Sequence, residues 1–328
     1  MQKIKWGVLG TAGIARKQTI PGMKEAENCE LYAIAGRNID KAKDYQAMFG
    51  FEKAYGSYDE LLQDPEVTAV YIPLPNTLHY EWTIKALEAK KHVLCEKPLA
   101  PTEEVARQMI EAAEKNGVLL MEAFAYLHSP FTKAIKEEID AKTIGNVVYM
   151  ESTFITPNYD ISNIRMRRET LGGCLYDLGC YNTTQILWML EEEPERIQAI
   201  SDFSEENVDV NTTAIMNFKS GKRAVMHCGM VLSTEIEGKF DRIDNFRIHG
   251  TKGSIKSETQ FNQCGKLSYV LSVGDKEEVK VVETPQNYRL EVEQFGRCIL
   301  EGEELHVSHE FTLKNAKLLD RILKIIGY

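Results

Sequence analysis

Over the first third of its length the chain alternates short apolar runs with longer stretches whose apolar positions recur at helical spacing. The runs are residues 3–9, 31–35, 67–72, 92–94 and 118–121. Strands covered on both faces read as near-continuous apolar runs, and strands separated by helical stretches pair in parallel through βαβ units. The pattern predicts a parallel sheet flanked by helices. The helix at 102–116 carries its own boundaries: Thr102 in the capping position, Glu103 and Glu104 in the first turn, and Gly117 as terminator. A hydroxyl at the cap takes up free N–H groups, acids suit the positive end, and glycine accepts the left-handed exit.

Beyond residue 122 the pattern changes. A helix at 130–141 leads into a strand at 147–155, an arginine-rich loop and a helix at 177–190. From Ile197 onward strands follow one another with turn residues between them. Ser220-Gly221-Lys222 separates 214–218 from 224–231, and Val273-Gly274-Asp275 separates two more. This predicts a large, mainly antiparallel sheet with helices on one face, closed by helices at 289–301 and 308–326. At 328 residues two domains are expected, 1–122 and 123–328.

Composition narrows the classes. With 43% hydrophobic and 27% charged residues the chain is globular, and at net charge −10 no block of Lys and Arg offers a nucleic-acid surface. No apolar run approaches the roughly 20 residues of a membrane-spanning helix. Met1-Gln2-Lys3-Ile4-Lys5-Trp6 enters a strand directly, without the apolar region of a signal peptide. Seven cysteines without a CxxC pair suggest reduced thiols and no metal site. The expectation is a cytoplasmic protein whose partner is a small molecule.

Candidate chemistry sits at the strand ends, where open parallel sheets bind ligands. The first is Gly7-Val8-Leu9-Gly10-Thr11-Ala12-Gly13-Ile14-Ala15, a strand, turn and helix start. A dinucleotide loop needs glycine for the tight turn and little side chain where backbone meets pyrophosphate. Gly10, Thr11, Ala12, Gly13 and Ile14 supply this. At the second strand end, where an NAD site usually carries an acid for the ribose diol, stands Arg37, with Lys41 one helical turn on. A guanidinium grips a 2′-phosphate with two hydrogen bonds, so the expected cofactor is NADP(H).

Further on, Pro73 and Pro75 stiffen a loop offering Asn76 and His79, which could meet the nicotinamide ribose or serve the following helix. The run Val93-Leu94-Cys95 ends in Glu96-Lys97-Pro98. An ammonium there can exchange the proton that accompanies hydride transfer, with Glu96 to orient it. In Leu171-Gly172-Gly173-Cys174-Leu175-Tyr176-Asp177-Leu178-Gly179-Cys180-Tyr181, Asp177 and Tyr181 share a helix face. A carboxylate and a phenol so placed can bind a hydroxyl and relay its proton. An acid at a helix start and a core tyrosine describe the same residues equally well.

Taken in order, these segments resemble the Gfo/Idh/MocA family, named for glucose–fructose oxidoreductase and inositol dehydrogenase, over essentially the whole chain. The resemblance is most specific at Glu96-Lys97-Pro98 and across Gly172-Gly173, Asp177 and Gly179. It implies a Rossmann domain followed by an α+β domain with an open sheet, and Lys97 as the catalytic lysine. The Gly-Thr-Ala loop and Arg37 are most similar to the NADP-using xylose and dihydrodiol dehydrogenases. Tyr181 stands where inositol-dehydrogenase-like members place a histidine. By the same resemblance Pro73, Asn76, His79, Glu96 and Lys97 lie along the cofactor. Phe124, Tyr126, Phe154, Arg165, Asp177 and Tyr181 line the substrate. The implied function is hydride transfer between NADP(H) and a sugar, polyol or cyclic diol in a homodimer or larger homo-oligomer. A nucleotide-binding sensor of the same fold is the alternative, and a ketosugar-nucleotide reductase a third reading.

Overall fold

A computed structural model describes residues 2–156, 160, 162–231, 235–236, 239–240, 242–259 and 261–328. By contacts the chain divides into two units, residues 1–128 with 285–313, and residues 129–284 with 314–328.

The first unit is built on six strands: β1 (Ile4–Leu9), β2 (Cys29–Ala35), β3 (Lys53–Tyr55), β4 (Ala69–Ile72), β5 (His92–Glu96) and β6 (Leu120–Ala123). Their order is β3-β2-β1-β4-β5-β6, all parallel, so the winding reverses between β1 and β4. That reversal opens a crevice at the carboxyl ends of the strands, the usual ligand position in such sheets. The apolar runs of the sequence are these strands, except β3, a short edge element without an apolar run. Helices α1 (Ile20–Glu25), α2 (Ile39–Phe49), α3 (Tyr58–Gln63), α4 (His79–Glu88) and α5 (Glu103–Asn116) join them. The boundaries expected for α5 hold: the Thr102 hydroxyl accepts from the Val105 N–H, and Gly117 closes the helix at φ 67°.

The second unit carries a sheet of eight strands. It contains β7 (Val147–Ile155), β8 (Arg196–Phe203), β9 (Asp209–Asn217), β10 (Arg223–Gly229), β13 (Ile243–Gly250), β14 (Gly253–Ser257), β15 (Gly265–Val273) and β16 (Lys276–Thr284). Two short strands, β11 (Glu235–Ile236) and β12 (Lys239–Phe240), pair with each other. The order is β16-β15-β14-β13-β7-β10-β9-β8, antiparallel except for the parallel pair β7 and β10. Helices α6 (Pro130–Asp140) and α7 (Cys180–Leu190) belong to this unit. The buried positions of α7 include Asn182, Thr183, Thr184 and Gln185. Each has partners to offset its desolvation: Asn182 donates to Ser152 Oγ at 2.8 Å, Ser152 donates to Gln185 at 2.7 Å, and Thr184 donates to the Cys180 carbonyl at 2.8 Å. Ile200, Ile215, Val279 and Val281 are exposed.

Helices α8 (Asn287–Glu301) and α9 (His309–Ile326) end the chain. Helix α8 returns to the first unit, where Phe295 packs on Trp6 of β1 with ring centroids 5.8 Å apart. Glu291 of α8 is fully buried, and among the described residues neither carboxyl oxygen has a hydrogen-bond partner. Burial, and then the charge of Glu96, push its carboxyl well above the ordinary 4.5. The folded chain therefore keeps a proton that the unfolded chain releases, and stability falls as pH rises above that ordinary value. We expect Glu291→Met to raise stability by about 1–2 kcal/mol, since it removes an unsatisfied buried polar group at similar volume. The gain should grow with pH; a thermal midpoint unchanged or lowered at every pH would refute it.

Candidate active site

The loop after β1 is shaped by Gly10. Its φ is +118°, a conformation side chains resist, and its N–H donates to the Ala35 carbonyl of β2 at 2.8 Å. The Tyr45 hydroxyl donates to the Thr11 carbonyl at 3.1 Å and ties the loop to α2. Gly13 is exposed, and a Cβ placed there would meet nothing within 4 Å. Gly13 and Ile14 begin the helix, where amide groups lack intrahelical acceptors. From Ala15 to Thr19 that helix is π-wound before α1 begins.

Arg37 and Lys41 are both exposed at the end of β2. The Asn38 side chain caps α2, accepting from the Asp40 and Lys41 N–H groups at 2.9 and 3.1 Å. Asp40 thus lies in the first helical turn. Lys41 lies there too, at the positive end of a helix, where a cation is disfavoured unless an anion compensates it. The Tyr58 phenol has its pKa raised by burial and drawn back by the nearby Arg37 guanidinium. Open backbone at a helix start, with two cations beside it, fits a dinucleotide carrying an extra phosphate.

Lys97 stands one residue past β5, half-buried, in a cis peptide with Pro98. Its surroundings tie the chain on both sides. Glu96 Oε2 accepts the Lys97 N–H at 3.3 Å, and Oε1 accepts the Tyr71 hydroxyl at 2.5 Å. The Thr19 hydroxyl donates in turn to Tyr71 at 2.8 Å. Burial first, and then the Glu96 charge, push the Tyr71 phenol well above its ordinary value. On the other side His79 places its ring nitrogens 2.9 Å from the Pro98 carbonyl and 2.8 Å from the Leu74 carbonyl. Burial lowers its pKa, and a neutral imidazole donates to one of the two.

His79 and Glu96, expected along the cofactor, also brace the segments that present Pro73 and Lys97. Asn76 opens a short helical turn, Asn76–Leu78, that precedes α4. Phe124 and Tyr126, read as substrate walls, are core residues of the first unit in edge-to-face contact at 6.4 Å.

In the second unit Gly173 adopts φ +106°, and a Cβ there would lie 1.9 Å from Asp209 Oδ1. The glycine pair of the motif thus permits a close approach. A π-wound segment, Leu175–Gly179, precedes α7. Within it Asp177 Oδ2 accepts from Arg165 Nε at 2.7 Å, so the two residues expected at the substrate meet as an ion pair. Tyr181 accepts from Asn262 Nδ2 at 3.0 Å. Its ring contacts Phe154 at 5.5 Å and Phe261 at 5.1 Å, and the Arg242 guanidinium lies 4.7 Å over Phe154. Asn262, Phe261 and Arg242 carried no signal in the sequence. They lie in irregular or strand-end positions far from Tyr181 along the chain.

A Rossmann-ordered sheet with a glycine turn at its first strand and a lysine at its fifth defines a nicotinamide-type oxidoreductase. Comparison with known proteins bears this out. Residues 4–124 match the family model described as "Oxidoreductase family, NAD-binding Rossmann fold", and residues 132–256 match the GFO/IDH/MocA C-terminal domain. The chain belongs to the Gfo/Idh/MocA family of oxidoreductases. It is 33% identical over 325 residues to a D-xylose 1-dehydrogenase (NADP(+)) of Haloferax volcanii, covering 97% of this chain and 95% of that one. It is 30% identical to a trans-1,2-dihydrobenzene-1,2-diol dehydrogenase of Xenopus laevis, covering 97% and 96%. Among solved structures it is similar to a 3-ketoreductase from Actinomadura kijaniata in complex with NADP and TDP-benzene. There the TM-score is 0.91 and the identity 29%, over 99% of this chain and 98% of the other. No helix among the described residues is long and apolar enough to cross a membrane.

Proposed function

We propose that this protein is an NADP(H)-dependent dehydrogenase or reductase acting on a secondary alcohol or carbonyl of a sugar, polyol or cyclic diol. The observation that carries the reading is Lys97, held at the end of β5 by Glu96 on one side and by the His79 contact to Pro98 on the other. When bound, NADP(H) supplies or accepts the hydride. The Gly10 to Ile14 backbone would hold its pyrophosphate, and Arg37 with Lys41 its 2′-phosphate. In the oxidising direction neutral Lys97 takes the hydroxyl proton at Nζ, directly or through Tyr181. In the reducing direction its ammonium returns that proton to the new alkoxide oxygen. Asp177, fixed by Arg165, would accept a hydrogen bond from a neighbouring substrate hydroxyl, and Phe154 would wall the sugar ring. Fixing the two reactants in one orientation contributes a large share of the acceleration.

The relatives support this reading through their names: a xylose dehydrogenase, a dihydrodiol dehydrogenase and a ketoreductase. That ketoreductase was also crystallised with a lysine replaced by alanine and with a tyrosine replaced by phenylalanine. We assign residues 1–122, completed by α8, to cofactor binding and the rest of 123–328 to substrate binding and oligomerisation. The exposed Ile200, Ile215, Val279 and Val281 favour a homodimer, and the reduced thiols a cytoplasmic setting.

A second reading has a specific support. The chain is 30% identical over 322 residues to a dTDP-3,4-didehydro-2,6-dideoxy-alpha-D-glucose 3-reductase of Actinomadura kijaniata. Reduction of a ketosugar carried on a nucleotide is therefore the runner-up. One experiment separates the readings: NADPH fluorescence, followed as it appears from NADP+ with aldoses, polyols or cyclic diols and as it is lost from NADPH with nucleotide-linked ketosugars. We expect turnover with one of the first three classes. Turnover with the last alone would select the runner-up, and cofactor binding without any turnover would select a sensor.

A further inference from the structure

Glu122 is a buried acid with no part in the chemistry above. It lies on β6, opposite Cys95 of β5 in the strand register, and is only 3% exposed. Its Oε1 accepts the Leu99 N–H at 2.8 Å. Leu99 is the second residue after Lys97, just past the cis bond, so this hydrogen bond fixes the far end of the turn that presents the ammonium. Between them, Glu96 and Glu122 hold the Lys97 segment from both sides with carboxylate oxygens.

The charged and titratable groups acting on Glu122 come from each element around it. Lys97 attracts its anion, Glu96 of β5 repels it, the Leu99 N–H stabilises it by a hydrogen bond, and Thr312 of α9 lies nearby with a polar hydroxyl. Cys95 lies beside it with its thiol pushed up by burial, and remains neutral. Burial is the largest influence, and the carboxyl is pushed up to about 7. The group therefore changes charge in the range where an enzyme of this kind works. A carboxylate near an ammonium stabilises the protonated amine, and a neutral acid does not.

We propose that Glu122 is a positioning residue for Lys97: it anchors the turn through Leu99, and its charge sets how firmly Lys97 keeps its proton. The inference rests on Lys97 as the proton-transfer residue. Ionised Glu122 suits carbonyl reduction, where Lys97 must arrive protonated. Neutral Glu122 suits alcohol oxidation, where Lys97 must arrive as the amine. Direction and pH are thereby linked through one buried carboxyl outside the reacting atoms.

Glu122→Gln tests this, because its amide oxygen still accepts the Leu99 N–H while the charge is gone. The pH limb of kcat governed by Lys97 should move toward acid by roughly one unit, a tenfold loss in proton affinity, in either reaction direction. A merely structural role would leave that limb in place, and an unmoved limb in folded, active E122Q overturns the proposal. A measurement on the unmodified protein stands if the variant misfolds. The lysine side chains are labelled with carbon-13 at Cε, and the Lys97 signal is identified by its loss in K97R. A step in that signal near neutral pH, below its own titration, supports the proposal, and a single inflection overturns it. Full turnover in K97A is a different result, and would remove the reading of Lys97 itself.

Discussion

Replacing Lys97 by alanine is expected to lower kcat by roughly 100- to 10,000-fold, the usual contribution of a positioned acid or base. NADP(H) binding should change little. The fold tolerates the change because Lys97 is half-buried and its backbone is held by Glu96, His79 and Glu122 through main-chain atoms of residues 97–99. Pre-steady-state hydride transfer with saturating cofactor measures the effect, and cofactor fluorescence titration confirms binding. Loss confined to KM would mean that the ammonium only holds substrate. Turnover near that of the parent would end the assignment. Tyr181→Phe gives the companion result: it deletes the hydroxyl that meets Asn262 and leaves the ring on Phe154 and Phe261. A fall comparable to K97A would make the phenol the immediate proton partner, and a much smaller one would leave that role with the amine.

Exchange of Arg37 for aspartate should reverse the cofactor preference. The guanidinium is exposed at the end of β2, and in its place a carboxylate would repel a 2′-phosphate and accept from a ribose diol. Loss of a charge-assisted hydrogen bond amounts to about 3 kcal/mol, near 100-fold in the ratio of kcat/KM for NADP(H) over NAD(H). Added repulsion enlarges the change. Because Arg37 is solvent-facing, the thermal midpoint should stay close to that of the parent. An unchanged ratio would show that another group selects the cofactor, with Lys41 next to be tested.

Features governed by nearby residues were legible in the sequence. The apolar runs became β1, β2, β4, β5 and β6, because a strand buried on both faces has to be apolar along its length. Gly10 and Gly117 were readable because each answers to a local left-handed backbone, and Thr102 because a cap acts on the next turn. The exception was β3, three residues at the sheet edge, where one exposed side removes the demand for apolar side chains. Long-range pairings were invisible. Asn262 reaches Tyr181 across 81 positions, and no spacing rule connects them. For His79 the strand-end position was readable but its direction was not. A polar ring can face ligand or protein, and here two backbone carbonyls decide it. The anchoring contact of Glu122 was unreadable for the same reason, since its partner is a main-chain N–H.

The return of α8 to the first unit bears on how the protein is made. Trp6 leaves the ribosome long before its partner Phe295. After residue 128 has been added, synthesis at ordinary rates takes roughly ten to thirty seconds to complete α8. Throughout that interval the parallel sheet lacks the helix that packs on Trp6, and Glu96 lacks the neighbouring Glu291. A nascent chain in this condition displays an apolar sheet face of the kind that holding chaperones recognise. The cofactor-binding half is thus begun first but finished only after α8 has been made, so its maturation waits on synthesis of most of the second unit.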